Sequence, residues 1–266
     1  LTPAVNMDTG FVQFLDGATK DRVLAVAAAH CDDFVAGAHI DDRAGDPLDL
    51  DGYRREVDRI ATHGGTPIVF PTHGLTALDG EDWVGVHASI GEQCDRFLAF
   101  ELGPMFVPYG RIYDLDAYRG LLEVEACVGA KHSSLDRVLE WDRLVVRDEV
   151  RPDFLVLTGN DLAIDMVMFG SDYLLGLSTF APDAFAERDR RWAAGEPGFH
   201  ELNDLLQYLG FFTFRDPVPG YRHDAALFLE IRGLIGSSRI PEGAPRRPES
   251  DVAVLSDIAE RVREMM

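Results

Sequence analysis

The feature that most narrows the possible folds is a repeat, at an interval of about 30 residues, of a short apolar segment followed by a helix-length stretch. The short segments are Leu1–Met7, Phe34–His39, Thr66–Thr72, Phe97–Gly103, Ala126–Ser133, Asp153–Asn160 and Tyr173–Phe180. Between them, Thr19–His30, Leu50–His63, Glu81–Asp95, Asp114–Glu123 and Ser134–Val146 carry apolar residues at helical spacing, and Leu162–Gly170 reads as a shorter helix. Strands separated by helices pair in parallel, because a tight hairpin cannot join them. The expected architecture is an α/β (β/α)8 TIM barrel whose first β/α unit precedes Leu1. A doubly wound sheet is the alternative, but no Gly-x-Gly-x-x-Gly turn follows the first strand.

The pattern changes after Phe180. Asp183–Ala194, Phe199–Phe212, Tyr221–Ile235 and Glu249–Met266 read as helices with no strand between them. The breaker cluster Pro217-Val-Pro-Gly precedes the third, and the Pro-rich Ile240–Pro248 precedes the last. The expected division is a barrel catalytic domain over 1–182, then the last barrel helix and a C-terminal helical extension over 183–266.

Charge narrows the partners. With 25 basic and 46 acidic residues the net charge is −21, which repels nucleic-acid phosphates and anionic lipid. No apolar run reaches the length of a membrane span, and Leu1–Val5 does not read as a signal peptide. Three widely spaced cysteines, Cys31, Cys94 and Cys127, give neither a disulfide framework nor zinc spacing, which fits a cytoplasmic setting. Only Lys20 and Lys131 are lysines; every other basic residue is arginine.

Chemistry in a parallel barrel lies at the C-terminal ends of the strands. Those ends carry Asp8 and Thr9; His39 with Asp41 and Asp42; Thr72 and His73; Glu101; Lys131 with His132 and Ser133; and Asn160 with Asp161. Asp41, Asp42, Ser133 and Asp161 read as loop polar groups or helix caps. Lys131 closes Ala126-Cys-Val-Gly-Ala-Lys, where strict alternation places Cys127, Gly129 and Lys131 on one face. An inward lysine there gives up hydration, which favours the neutral amine that attacks a carbonyl; the alternative is a lysine that reaches solvent or pairs with a carboxylate. Alternation likewise groups Phe97, Ala99 and Glu101, making Glu101 an acid/base partner for Lys131 or a metal ligand. His73 and His39 are further proton carriers, or hydrogen-bonded structural residues.

These segments resemble the dihydrodipicolinate synthase / N-acetylneuraminate lyase family of class I aldolases. Gly129-Ala-Lys131-His-Ser-Ser is similar to that family's Gly-Ile-Lys strand, and Leu157-Thr-Gly-Asn-Asp161 to its Gly-Asp-Asp turn. Leu175-Gly-Leu-Ser-Thr-Phe-Ala-Pro182 resembles its last strand, and Asp216-Pro217 through Ala225-Ala-Leu, Gly233-Leu-Ile-Gly and Arg239-Ile-Pro241 its C-terminal helices. Thr9-Gly10, Phe14-Leu15 and Arg22-Val-Leu resemble its Thr-Thr-Gly-Glu turn and the helix after it. The resemblance implies a lyase or aldolase with a Schiff base on Lys131, no cofactor, a small-molecule carbonyl substrate, and a homo-oligomer, by resemblance a tetramer. It also implies departures. Asp8-Thr9 stands where the family has the Thr-Thr pair that binds the keto-acid carboxylate. Glu101-Leu-Gly-Pro104 stands in place of Tyr-Asn-x-Pro, and Thr72-His73 in place of the tyrosines of Pro-Tyr-Tyr. Lys131, Glu101 and His73 are then the expected catalytic residues, and Asp8, Thr9, His39 and Asn160 the substrate-binding ones. The substrate is a 2-keto acid or a polyhydroxylated, sugar-derived carbonyl compound, which suits Asp8 better.

Two other readings remain at this point. His39, His73, Glu101 and Asp8 are of the types that hold a divalent metal for isomerisation or hydrolysis. A non-catalytic small-molecule-binding relative of the same fold is the other. Tyr109, Arg111 and Tyr113 belong to a loop after Pro104 that reads as surface or as a substrate contact.

Overall fold

The computed structural model describes residues 1–266. Its sheet has seven parallel strands in sequential order: β1 (Ala4–Val5), β2 (Val35–Ala38), β3 (Thr66–Val69), β4 (Phe97–Leu102), β5 (Cys127–Ser133), β6 (Leu155–Thr158) and β7 (Asp172–Tyr173). The crossovers carry α1 (Gly17–His30), α2 (Leu50–Thr62), α3 (His73–Thr76), α4 (Gly80–Gly91), α5 (Leu115–Leu122) and α6 (Arg137–Val150). Sequential order with one crossover per strand is the plan of a TIM-barrel wall. β1 and β7 are its two edges and do not pair with each other.

Part of the acidic excess has a local use. Asp16, Asp49, Asp79, Asp114 and Asp136 each accept a backbone N–H in the first turn of α1, α2, α4, α5 and α6. Such a cap stabilises a helix by about 1 kcal/mol. The strands between are nearly continuous in apolar residues because they are covered on both faces.

Which face of each strand meets the helices follows from its neighbours. Ala36, Ala38, Val69, Phe97, Ala99, Cys127 and Ala130 pack with Tyr53, Val57, Trp83, Ile90, Tyr118 and Leu121 from α2, α4 and α5. Cys127 corrects the alternation expected from sequence. Phe97 pairs with Cys127 but Leu98 pairs with Gly129, so Val128 is an extra residue in β5. This bulge puts Cys127 on the helix side with Ala130, and leaves Gly129 and Lys131 on the other face.

Two compact units divide the chain. One holds Thr2–Asn160 and Met166–Leu174, and therefore the whole sheet with α1–α6. The other holds Leu1, Asp161–Asp165 and Leu175–Met266. It contains α7 (Pro182–Ala194), α8 (Gly198–Thr213), α9 (Tyr221–Ile231) and α10 (Asp251–Met265). The expected seventh strand is mostly not a strand. Only Asp172–Tyr173 pairs, and Leu177–Thr179 coils into a 3-10 turn. The turn forms because the Asp161 carboxylate takes the Leu177 N–H at 2.7 Å, and because Tyr221 packs so close to Gly176 that a Cβ there would sit 2.9 Å from its ring. The helix expected over Leu162–Gly170 is likewise a 3-10 segment, Ile164–Phe169. No helix is long and apolar enough to cross a membrane.

Candidate active site

Lys131 stands two residues before the end of β5, paired in register with Phe100 on β4 and Leu157 on β6. Register partners in a sheet project on the same face. Accordingly, Nζ of Lys131 lies 4.3 Å from the centre of the Phe100 ring. The lysine is 5% exposed, and among the described residues it makes neither a hydrogen bond nor an ion pair. Its stem passes over Gly159, where a Cβ would lie 2.8 Å from Lys131 Cε and 2.0 Å from Ser133 Oγ. Only glycine leaves that passage open. Ser133 shares the lysine face of β5 and caps no helix, since Asp136 caps α6. The cap expected at Ser133 is therefore corrected.

The same face continues across the sheet. Phe100 meets Phe70 edge to face at 5.2 Å, and Phe70 meets His39 at 5.3 Å. Lys131, Phe100, Phe70 and His39 thus form one row from β5 to the end of β2. His39 is 6% exposed, and its carbonyl accepts a hydrogen bond from Lys20 Nζ at 2.8 Å. Burial, helped by the Lys20 charge, lowers the His39 pKa to about 4, so its imidazole is neutral at neutral pH.

Glu101 is the main correction. It pairs in register with His132, one residue out of step with Phe100 and Lys131, and so faces the helices. Arg143 of α6 grips it with two bonds, Nε to Oε2 at 2.6 Å and Nη2 to Oε1 at 2.8 Å. The Tyr113 N–H donates at 2.9 Å, and His132 Nδ1 lies 3.0 Å away. All three ionisable groups are at most 1% exposed. Burial alone would raise the Glu101 carboxyl, but Arg143 and His132 beside it bring it down to about 2. A carboxylate so engaged, behind the sheet, is not the proton partner of Lys131. Strand alternation decides this, because neighbouring residues point to opposite faces.

Asn160 is also corrected. Its Oδ1 accepts the N–H of Ser134 at 3.0 Å and of Leu135 at 2.7 Å, while Nδ2 donates to Glu140 and to the Asp136 carbonyl. Its hydrogen-bonding capacity is filled by protein, with none left for a substrate.

Asp8 and Thr9 lie in a 3-10 turn after β1, Asp8 buried and Thr9 half-buried. His73 opens α3, and its ring lies against Tyr109 with centres 4.0 Å apart and planes tilted by 39°. The Asp42 carboxylate holds the N–H groups of His73 and Gly74 at 2.9 and 2.6 Å from a separate loop, while Thr72 is the N-cap of α3. No group of three or more His, Cys, Asp or Glu side chains among the described residues is arranged to hold a metal ion. The expected set of His39, His73, Glu101 and Asp8 does not converge, and Glu101 is on the wrong face.

Sequence reasoning missed Phe100, Arg143, Glu140 and the role of His132. The detectable signal was in α6, where Glu140 and Arg143, three apart, fall on the helix's buried face.

The fold is shared with solved structures. Dihydrodipicolinate synthase from Thermotoga maritima matches at a TM-score of 0.78 and 17% identity, over 99% of this chain and 87% of that one. The pyruvate complex of the Acinetobacter baumannii enzyme of that name matches at 0.75 and 18%, over 100% and 88%. N-acetylneuraminate lyase from Mycoplasma synoviae matches at 0.68 and 14%, over 98% and 84%. At these identities the likeness establishes the fold. No family model matches the chain. No curated protein matches it either.

Proposed function

We propose that this protein is a lyase of class I aldolase type that forms a Schiff base through Lys131. The observation that carries the reading is the lysine itself: an amine on the inner face of β5 near its C-terminal end, over an aromatic ring, with no counter-ion and no acceptor. A structural lysine would be paired, as Lys20 is with the His39 carbonyl and, at 3.9 Å, with Glu56. The names of the solved proteins that share the fold support the same reading, and one of them was solved with pyruvate.

In this reading Nζ adds to a substrate carbonyl and water leaves, giving an imine. Protonated, the imine draws electrons from the adjacent bond, so that a carbon–carbon bond breaks or water is lost. Hydrolysis of the imine then frees product and lysine. Glu101 being behind the sheet, the proton carrier is His73 with the Tyr109 that lies against it. The substrate is a 2-keto acid or a polyhydroxylated sugar-derived carbonyl compound. Asp8, standing where the resembled family has a threonine, favours the latter, since an aspartate beside the carbonyl would repel a carboxylate.

The test is borohydride trapping across keto acids, ketoses and aldehydes, read by peptide mass spectrometry. A reduced adduct on Lys131 is expected, and the compound that gives it names the substrate class. Adducts spread equally over Lys131 and Lys20, or on Lys20 alone, would refute the assignment.

A further inference from the structure

We propose that Glu140 is a positioning residue for Lys131, acting through Asn160. The inference rests on the reading of Lys131 as the imine-forming amine. β5 ends at Ser133, and the chain turns at once through Ser134 and Leu135. Leu135 has φ 57°, a left-handed conformation that costs a leucine about 1–2 kcal/mol. What holds this turn is Asn160, whose Oδ1 accepts both the Ser134 and the Leu135 N–H.

A carboxamide does this only if its orientation is fixed, and Glu140 fixes it. One Glu140 oxygen, Oε2, takes the Asn160 amide and the Thr158 hydroxyl, the latter at 2.7 Å. The other, Oε1, takes the Ser171 hydroxyl at 2.6 Å. Glu140 is 0% exposed and no cation pairs with it; burial raises its pKa, against the three hydroxyl and amide donors and the nearby His132. A charge kept in such a place is costly unless its acceptor geometry is needed. Here it is needed, because a carboxylate accepts on both oxygens and donates on neither. A glutamine would either set its NH2 against the Asn160 amide or keep its oxygen there and turn the NH2 to Ser171, whose hydroxyl then loses its acceptor. The clamp therefore fixes the exit of β5 three residues from Lys131, with β6 and α6 as its anchors. Slack in it is delivered to the lysine along an extended strand, whereas Lys20 on α1 is tied to other groups.

The two lysines make a clean experiment. The protein is treated with acetaldehyde and cyanoborohydride, which converts an amine and an aldehyde through the imine to a secondary amine, and the rates at Lys131 and Lys20 are read by peptide mass spectrometry. Lys20 is the internal reference. In Glu140→Gln the Lys131 rate should fall on the order of 10-fold against Lys20, the scale expected of a misplaced reacting group. Amide exchange at Ser134 and Leu135 should speed up. Ser171→Ala and Thr158→Val should show smaller losses of the same kind, and they carry the test if Glu140→Gln does not fold. An unchanged Lys131-to-Lys20 ratio in the folded variants, or equal gains at both lysines, would overturn the proposal. A wild-type Lys131 that reacts no faster than Lys20 overturns the imine reading itself and this inference with it. That outcome is seen before any variant is made.

Discussion

Lys131 and Phe100 are register partners on neighbouring strands, and the lysine ammonium sits 4.3 Å above the phenylalanine ring. That one pairing fixes the face on which the amine stands and lays it against an aromatic ring. It also excludes Glu101, which is the next residue along and points the other way.

Lys131→Met should abolish borohydride-trapped adduct at this position and leave the fold intact. A buried charge with no ionic partner gives little stability, and an apolar side chain of similar volume replaces it at no loss. Circular dichroism and urea unfolding should show an unchanged or raised midpoint. A marked loss of stability would show that the ammonium is structural.

Gly159→Ala should block the lysine without touching it chemically. The added methyl would meet Ser133 Oγ and Lys131 Cε well inside contact distance. We expect a destabilisation of about 1–3 kcal/mol, typical of overpacking, together with loss of adduct. Full retention of trapping in this variant would mean that the lysine takes another path.

Arg143→Met should be among the most damaging single changes in the sheet unit. It strands the Glu101 carboxylate, 1% exposed, with His132 and one backbone N–H as its remaining partners. Removal of one member of such a pair costs about 3–5 kcal/mol. Glu101→Gln together with Arg143→Met should recover part of the loss, which chemical denaturation of the single and double variants would measure.

Acid should destabilise the protein in two windows. His39 and His87 are buried with folded pKa values of about 4, below the ordinary 6.5, mainly because burial disfavours their charged forms. The folded state then binds fewer protons than the unfolded state, so stability falls as pH drops from about 6.5 to 4, by on the order of 3 kcal/mol per histidine. Glu101 acts lower down: its folded value of about 2 lies below the ordinary 4.5, so the stability it contributes is lost as pH falls through that range. Urea midpoints at pH 7.5, 6, 5 and 4 would show the upper window, and His87→Phe should flatten it. Equal slopes in both proteins would contradict the assignment to His87.

Much of the architecture was legible because it is local or periodic. The alternation of strand and helix is a statement about backbone hydrogen bonding and loop length, and it located the first six strands even where their ends differ by a few residues. The aspartate caps are equally local. Tyr173–Phe180 misled because an apolar run fits strand and buried turn alike. A carboxylate from elsewhere in the chain, Asp161, decided it.

The amino-acid sequence by itself determined the parallel α/β plan and singled out Lys131, by its place at a strand end and by the near absence of other lysines. Tertiary structure alone decided what surrounds that lysine. The bulge at Val128 shifts the parity of β5 below it, strand register couples Lys131 to Phe100, and the buried face of α6 brings Arg143 and Glu140 to partners on β4 and β6. Those choices depend on contacts between residues up to 42 positions apart, as in the Arg143–Glu101 pair, and no local pattern encodes them. The same carboxylate that reads as a catalytic acid in the sequence becomes a brace, because a step of one residue along a strand turns a side chain to the opposite face.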